Sequence, residues 1–245
     1  MSTALLIARK DIKEALRNKS TYIYIAFLLL ISFPYLDGLR NTLTRAGESA
    51  SSDELRATSG LFLQTTITTL PLTLTMLFCT YLSAYTIILE KAKKTLESLL
   101  ATPASLRQVW MGKTLAVALP SVIVTSLILI VAVIALNVTV IVPRTGSFVL
   151  PGLVPLVTGF VTVPLLTYAV VATISLLQLI VTNPRIANFA FIAIFFSFYF
   201  MTVSGISASW DFSLIYVAAT ALMGAVNLIL SRLLTRERVV LSSKG

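Results

Sequence analysis

Six stretches of this chain carry no charged side chain. The longest runs 40 residues, from Thr145 to Pro184. The others cover Ser20–Leu36, Ala57–Leu89, Thr114–Pro143, Ile186–Trp210 and Phe212–Ser231. A helix crosses the hydrocarbon core of a bilayer with about 20 apolar residues. The runs therefore predict six spans, at 20–36, 61–89, 114–142, 153–182, 187–208 and 213–231. Pro143, Gly146, Pro151, Gly152 and Pro155 break the helical pattern at the start of the 40-residue run, so its first ten residues read as a loop. Apolar residues make up 57% of the 245 and charged residues 12%, against roughly 25% charged in a soluble domain. Mean hydropathy is +0.92. An ordinary soluble domain, a disordered chain and a nucleic-acid module are excluded. The expected fold is an all-α polytopic membrane protein, with residues 1–245 as one integral domain.

Orientation follows from Lys and Arg. With six spans both termini share a side, and 15 of the 19 basic residues fall on it, while Arg40, Arg45, Arg56 and Arg144 fall opposite. The acids divide five and five. The net charge of +9 is thus topological, and both termini are expected in the cytoplasm, with the chain in the cell membrane. Residues 37–60 form a polar outer loop, with some helix expected over Ser52–Ala57.

Several chemistries drop out. The single cysteine, Cys79, allows no intramolecular disulfide and no thiolate cluster. The absence of histidine excludes histidine triads and HExxH metal sites. Gly112-Lys113-Thr114 looks like the end of a P-loop, but Arg107 stands where the earlier glycine is needed. No ionisable residue falls inside a predicted span, which argues against a proton-driven carrier. The Asn137-Val-Thr sequon lies within a span and does not read as a glycosylation site.

Three segments stand out. Residues 3–19 are amphipathic, with Leu5, Ala8, Ile12, Ala15 and Leu16 on one face. This stretch has no cleavage pattern of a signal peptide. It reads either as an interfacial helix with that face in the acyl boundary or as a positive-inside anchor. The second span carries Thr65, Thr69, Thr73, Met76, Thr80 and Ser83 at steps of four and three, on one face. That face either lines a translocation route or dimer interface, or is ordinary close packing with hydroxyls bonded to their own helix. The third segment, 90–113, reads as two short helices. Leu96, Leu99 and Leu100 give the first an apolar stripe, and Pro103 ends it by disfavouring helix at Thr102. Ser105 with Gln108 is a capping-box pattern that opens the second.

The string Glu90 to Lys113, with its Thr95-Leu-Glu-Ser-Leu-Leu-Ala-Thr-Pro103 core and Gly112-Lys113, resembles the signature of the ABC transporter type-two permease family. Ala8 to Lys19 resembles that family's elbow helix. The resemblance implies a six-span exporter subunit with a cytoplasmic coupling helix. Lys93, Lys94, Thr95, Leu96, Glu97, Leu99, Leu100, Thr102 and Pro103 would contact the partner. It further implies two copies of a separate ATPase subunit that binds ATP and Mg, and a homodimer or a pairing with a second permease chain. The chain itself would bind no cofactor and would not be an enzyme. Many family members place re-entrant half-helices between spans five and six. Here only a few residues around Ser209, Trp210 and Asp211 separate them. The cargo is unidentified, with a hydrophobic or amphipathic molecule favoured by the lack of a charged pocket. The alternative is a non-transporting membrane scaffold whose loop is a docking site.

Overall fold

The computed structural model describes residues 3–47, 52–93, 104–181 and 212–232, with a few isolated positions beyond. Everything regular among them is helical. Helix α1 spans Thr3–Arg17 and α2 spans Lys19–Gly47. Between them Asn18 caps α2, its Oδ1 accepting from the Ser20 amide at 3.1 Å. Helix α3 spans Ser52–Ser83 and continues through a π-helical turn, Ala84–Ile88, into a last turn, Leu89–Ala92. Helix α4 spans Leu106–Leu136 and continues through Asn137–Ile141, again π-helical, to Val142–Thr145. Helix α5 comprises Leu153–Val157, a π-helical turn at Thr158–Thr162, and Val163–Ile180. Helix α6 spans Phe212–Arg232.

Five of these helices, α2 to α6, are long and apolar enough to cross a membrane. The fifth predicted span, 187–208, falls almost wholly outside the described residues. Three of the described spans are longer than their charge-free runs, reaching Lys19–Arg45, Arg56–Lys91 and Leu106–Thr145. At the helix ends beyond the runs, polar side chains bond to the turn before them. Thr42 and Thr44 donate to the carbonyls of Gly38 and Arg40, and Thr58 to that of Glu54. The expected outer loop 37–60 is therefore helical up to Gly47 and again from Ser52. The expected loop after Thr145 is present, turned by Gly146 at φ 67°. The capping box forms as the sequence predicts. Ser105 Oγ accepts from the Gln108 amide at 3.3 Å and Gln108 Oε1 from the Ser105 amide at 3.0 Å.

Helices α3 and α5 form the centre, with 56% and 67% of their most apolar stretches buried. For α2 and α6 the figures are 12% and 11%, so these two present broad apolar faces outward. The α3–α5 contact is close because Gly159 lies against Ile67. A β-carbon there would sit 2.7 Å from the Ile67 carbonyl oxygen. Where apolar surface gains little by leaving lipid, such close approach and interhelical hydrogen bonds hold helices together. Thr75 and Thr125 share one at 2.7 Å across α3 and α4.

Helix sense can be read from side-chain pairs. Ser83 near the end of α3 meets Gln178 near the end of α5, while Ile67 meets Gly159 nearer their starts, so these two run in the same sense. On α6, Tyr216 reaches the Thr68 carbonyl, and Asn227 bonds Thr173 and the Ala169 carbonyl. Helix α6 thus runs in the same sense as α5.

Candidate functional site

Helix α1 makes its largest contact with the first turns of α4. Its buried face is Ala4, Ile7, Ala8, Asp11 and Ala15. These positions recur at helical spacing and are mostly small, so the two backbones come close. Gly112 on α4 is where they meet, since a β-carbon there would lie 2.9 Å from both the Ala4 carbonyl oxygen and Ile7 Cβ. The face expected to sink into the acyl boundary is split as a result. Ala8 and Ala15 pack on protein, while Leu5 and Leu16 are exposed.

One residue beyond Gly112, Lys113 is 1% exposed and bridges two carboxylates. Its Nζ lies 2.8 Å from Asp11 Oδ2 on α1 and 2.6 Å from Glu90 Oε2 at the end of α3. It also donates to the Thr86 carbonyl at 3.2 Å, inside the first π-helical turn. Asp11 is 3% exposed. Burial pushes its carboxyl above the usual carboxylate value, Lys113 pulls it back, and the nearby Glu90 charge adds to the rise. One cation faces two anions, so the cluster is not neutral when all three are ionised. A buried ion pair of this kind is weak evidence for stability, but removing one partner strands the other.

A second knot lies beside the first. Lys91 Nζ donates to the carbonyls of Gln178 and Val181, at 3.2 and 2.6 Å, capping the end of α5. Ser83 donates to Gln178 Oε1 at 2.8 Å, and Trp110 Nε1 donates to the Ala172 carbonyl at 2.9 Å. Together the two knots join α1, the end of α3, the start of α4 and the end of α5. The chain between α3 and α4 leaves from this place and returns to it.

Of the proposed coupling residues, Lys93 is exposed at the last turn after α3. Lys94, Thr95, Leu96, Glu97, Leu99, Leu100, Thr102 and Pro103 lie outside the described residues. On the threonine face of α3, Thr65 is exposed, Thr69, Thr73 and Thr80 are half-buried, and Met76 and Ser83 are buried. Thr69, Thr73 and Thr80 bond the carbonyl four residues back, and Thr65 that of Phe62. Those four hydroxyls are thus satisfied within their own helix, as in close helix packing. Asn137 of the sequon is fully buried. It accepts from the Val149 amide and donates to the Val133 carbonyl, both at 3.0 Å, which fastens the loop after α4.

The sequence singled out segment 90–113 but not the contacts that hold its two ends. Asp11, Glu90 and Lys113 were read as charges assigned to a side of the membrane. The readable signal was Asp11 in line with Ala4, Ala8 and Ala15 on one helix face. Compared with protein-family models and with curated proteins, the chain matches none.

Proposed function

We propose that this chain is the membrane-spanning subunit of an ATP-driven exporter of the type-two permease kind, powered by a separate ATPase subunit. The observation that carries the reading is the Lys113 cluster. It clamps α1, the end of α3 and the start of α4 together at the roots of segment 94–103. A force applied to that segment would move three helices as one unit instead of bending one loop. Such a transmission element is what coupling to a docked motor requires.

The six-span reading also has support. Helix α5 ends beside Lys91, at the end of the bundle that carries α1, while α6 runs in the same sense as α5. Two consecutive spans of the same sense need a crossing between them, and residues 182–211 provide about 30, against roughly 20 for one crossing. The Lys and Arg bias puts α1 and the Lys113 cluster on the cytoplasmic side. The outward apolar faces of α2 and α6 suit lipid or a second permease chain.

The test is co-purification with an ATPase subunit, with wild-type chain and a Leu96→Asp/Leu100→Asp variant. Fully burying one such leucine is worth about 1.5–3 kcal/mol, so the variant should lose the ATPase while its helices remain inserted. Retention at wild-type stoichiometry would remove this segment as the docking element and favour a scaffold that does not transport.

A further inference from the structure

Helix α1 leaves a groove of about 530 Å³ against the first turns of α4. Its apolar floor is Leu5, Ile12 and Leu16 from α1 with Leu115 and Leu119 from α4. Leu5, Leu16 and Leu119 are exposed, although they are large and apolar. Leu115 and Leu119 belong to a helix long and apolar enough to cross the membrane, so the groove opens toward acyl chains.

The rim has the opposite chemistry. Arg9, Lys13 and Arg17 follow one another every four residues along it, all exposed. No ion pair engages them among the described residues, and no acid lines the groove. Lys10, on another face, pairs with Glu14 at 3.8 Å. An apolar trough under a row of unpaired cations matches a molecule with an acyl tail and a negative head.

We propose that this groove is a binding site for an anionic phospholipid, with an acyl chain against Leu16, Leu115 and Leu119 and the phosphate held by Arg9, Lys13 and Arg17. The site needs no nucleotide and no partner chain, so its test is separate from that of the exporter reading.

The experiment is binding of fluorescent phosphatidylglycerol to the full chain in neutral detergent, with phosphatidylcholine of the same acyl chains and soluble glycerol phosphate as competitors. Phosphatidylglycerol should bind in preference to phosphatidylcholine. A basic residue near an anionic headgroup is worth about a fivefold gain in affinity. Arg9→Gln/Lys13→Gln/Arg17→Gln should therefore weaken binding on the order of 100-fold, and Arg9→Lys/Arg17→Lys should keep it. The single variant Lys13→Gln reads the same effect at about fivefold, should the triple variant not purify. The proposal is overturned by equal affinity for the two lipids, by unchanged affinity in Lys13→Gln or the triple variant, or by competition from glycerol phosphate as strong as from lipid.

Discussion

The two ends of the helix bundle are built differently. At the end that holds α1, charged and polar side chains are buried and reach across helices, as in Asp11–Lys113–Glu90 and Lys91 with the end of α5. At the opposite end, among the described residues, the helices share a small apolar cluster of Leu63, Leu136 and Ile141, and the polar contacts between them are few and exposed. Arg144 reaches Thr44 at 3.0 Å and Arg56 reaches the Thr145 carbonyl at 3.3 Å, both in the open. Asn137, which fastens its own loop, is a buried polar tie there. One end is a joint fixed by buried charge, and the other is held by exposed hydrogen bonds over an apolar cluster.

The sharpest way to break the comparison is to remove the cation at the fixed joint. Lys113→Met leaves Asp11 and Glu90 facing each other without compensation, and should cost about 3–5 kcal/mol. The readout is thermal unfolding of the purified chain in detergent. The triple change Asp11→Asn, Glu90→Gln and Lys113→Met should recover most of the loss. A single variant as stable as wild type would show that the cluster is not the joint described.

Crowding the same joint should cost less. Gly112→Val forces atoms into the Ala4 carbonyl and Ile7, at about 1–3 kcal/mol. Protease cleavage within α1 should rise markedly. Unchanged protection of α1 would mean that its docking does not depend on the close approach at Gly112.

The pH response sharpens the contrast further. Burial raises the Asp11 pKa, so the folded state binds this proton more tightly than the unfolded state. Its contribution to stability is complete below the unfolded carboxylate value of 3.8 and is lost as pH rises through the raised folded value. One group limits the slope to about 1.4 kcal/mol per pH unit. Wild-type stability should therefore decline over that window, and Asp11→Asn should flatten it. An identical profile in the two proteins would assign the slope elsewhere.

The smallest effect belongs to the opposite end. Arg144→Ala and Arg56→Ala each remove an exposed hydrogen bond and should change unfolding by no more than about 0.5 kcal/mol. A large loss from either would erase the difference between the ends.

How legible each end was follows from the same physics. Charge-free runs marked the five described spans because a bilayer penalises charge along a whole helix. The capping box at Ser105 was readable because both its partners lie three residues apart. The Lys113 cluster was not, since Asp11, Glu90 and Lys113 are far apart in sequence and each also fits a plain positive-inside or helix-end role. The face of α1 was legible only in part, because Leu5 and Leu16 stand out as more apolar than Ala4 and Asp11, while close packing selected the small side. The shared sense of α5 and α6 is what the six-span reading implies for its fourth and sixth spans, and the partners of Asn227 and Tyr216 agree with it.

The Lys113 cluster also sets a timetable. Asp11 is synthesised about 100 residues before the cation that holds it, which at 5–20 residues per second is roughly 5–20 s. During that interval α1 has no α4 to dock on, and its carboxylate keeps its water. The joint closes only when α3 and α4 have been delivered, so a stall in translation anywhere between Asp11 and Lys113 prolongs the exposure of a helix made to be covered.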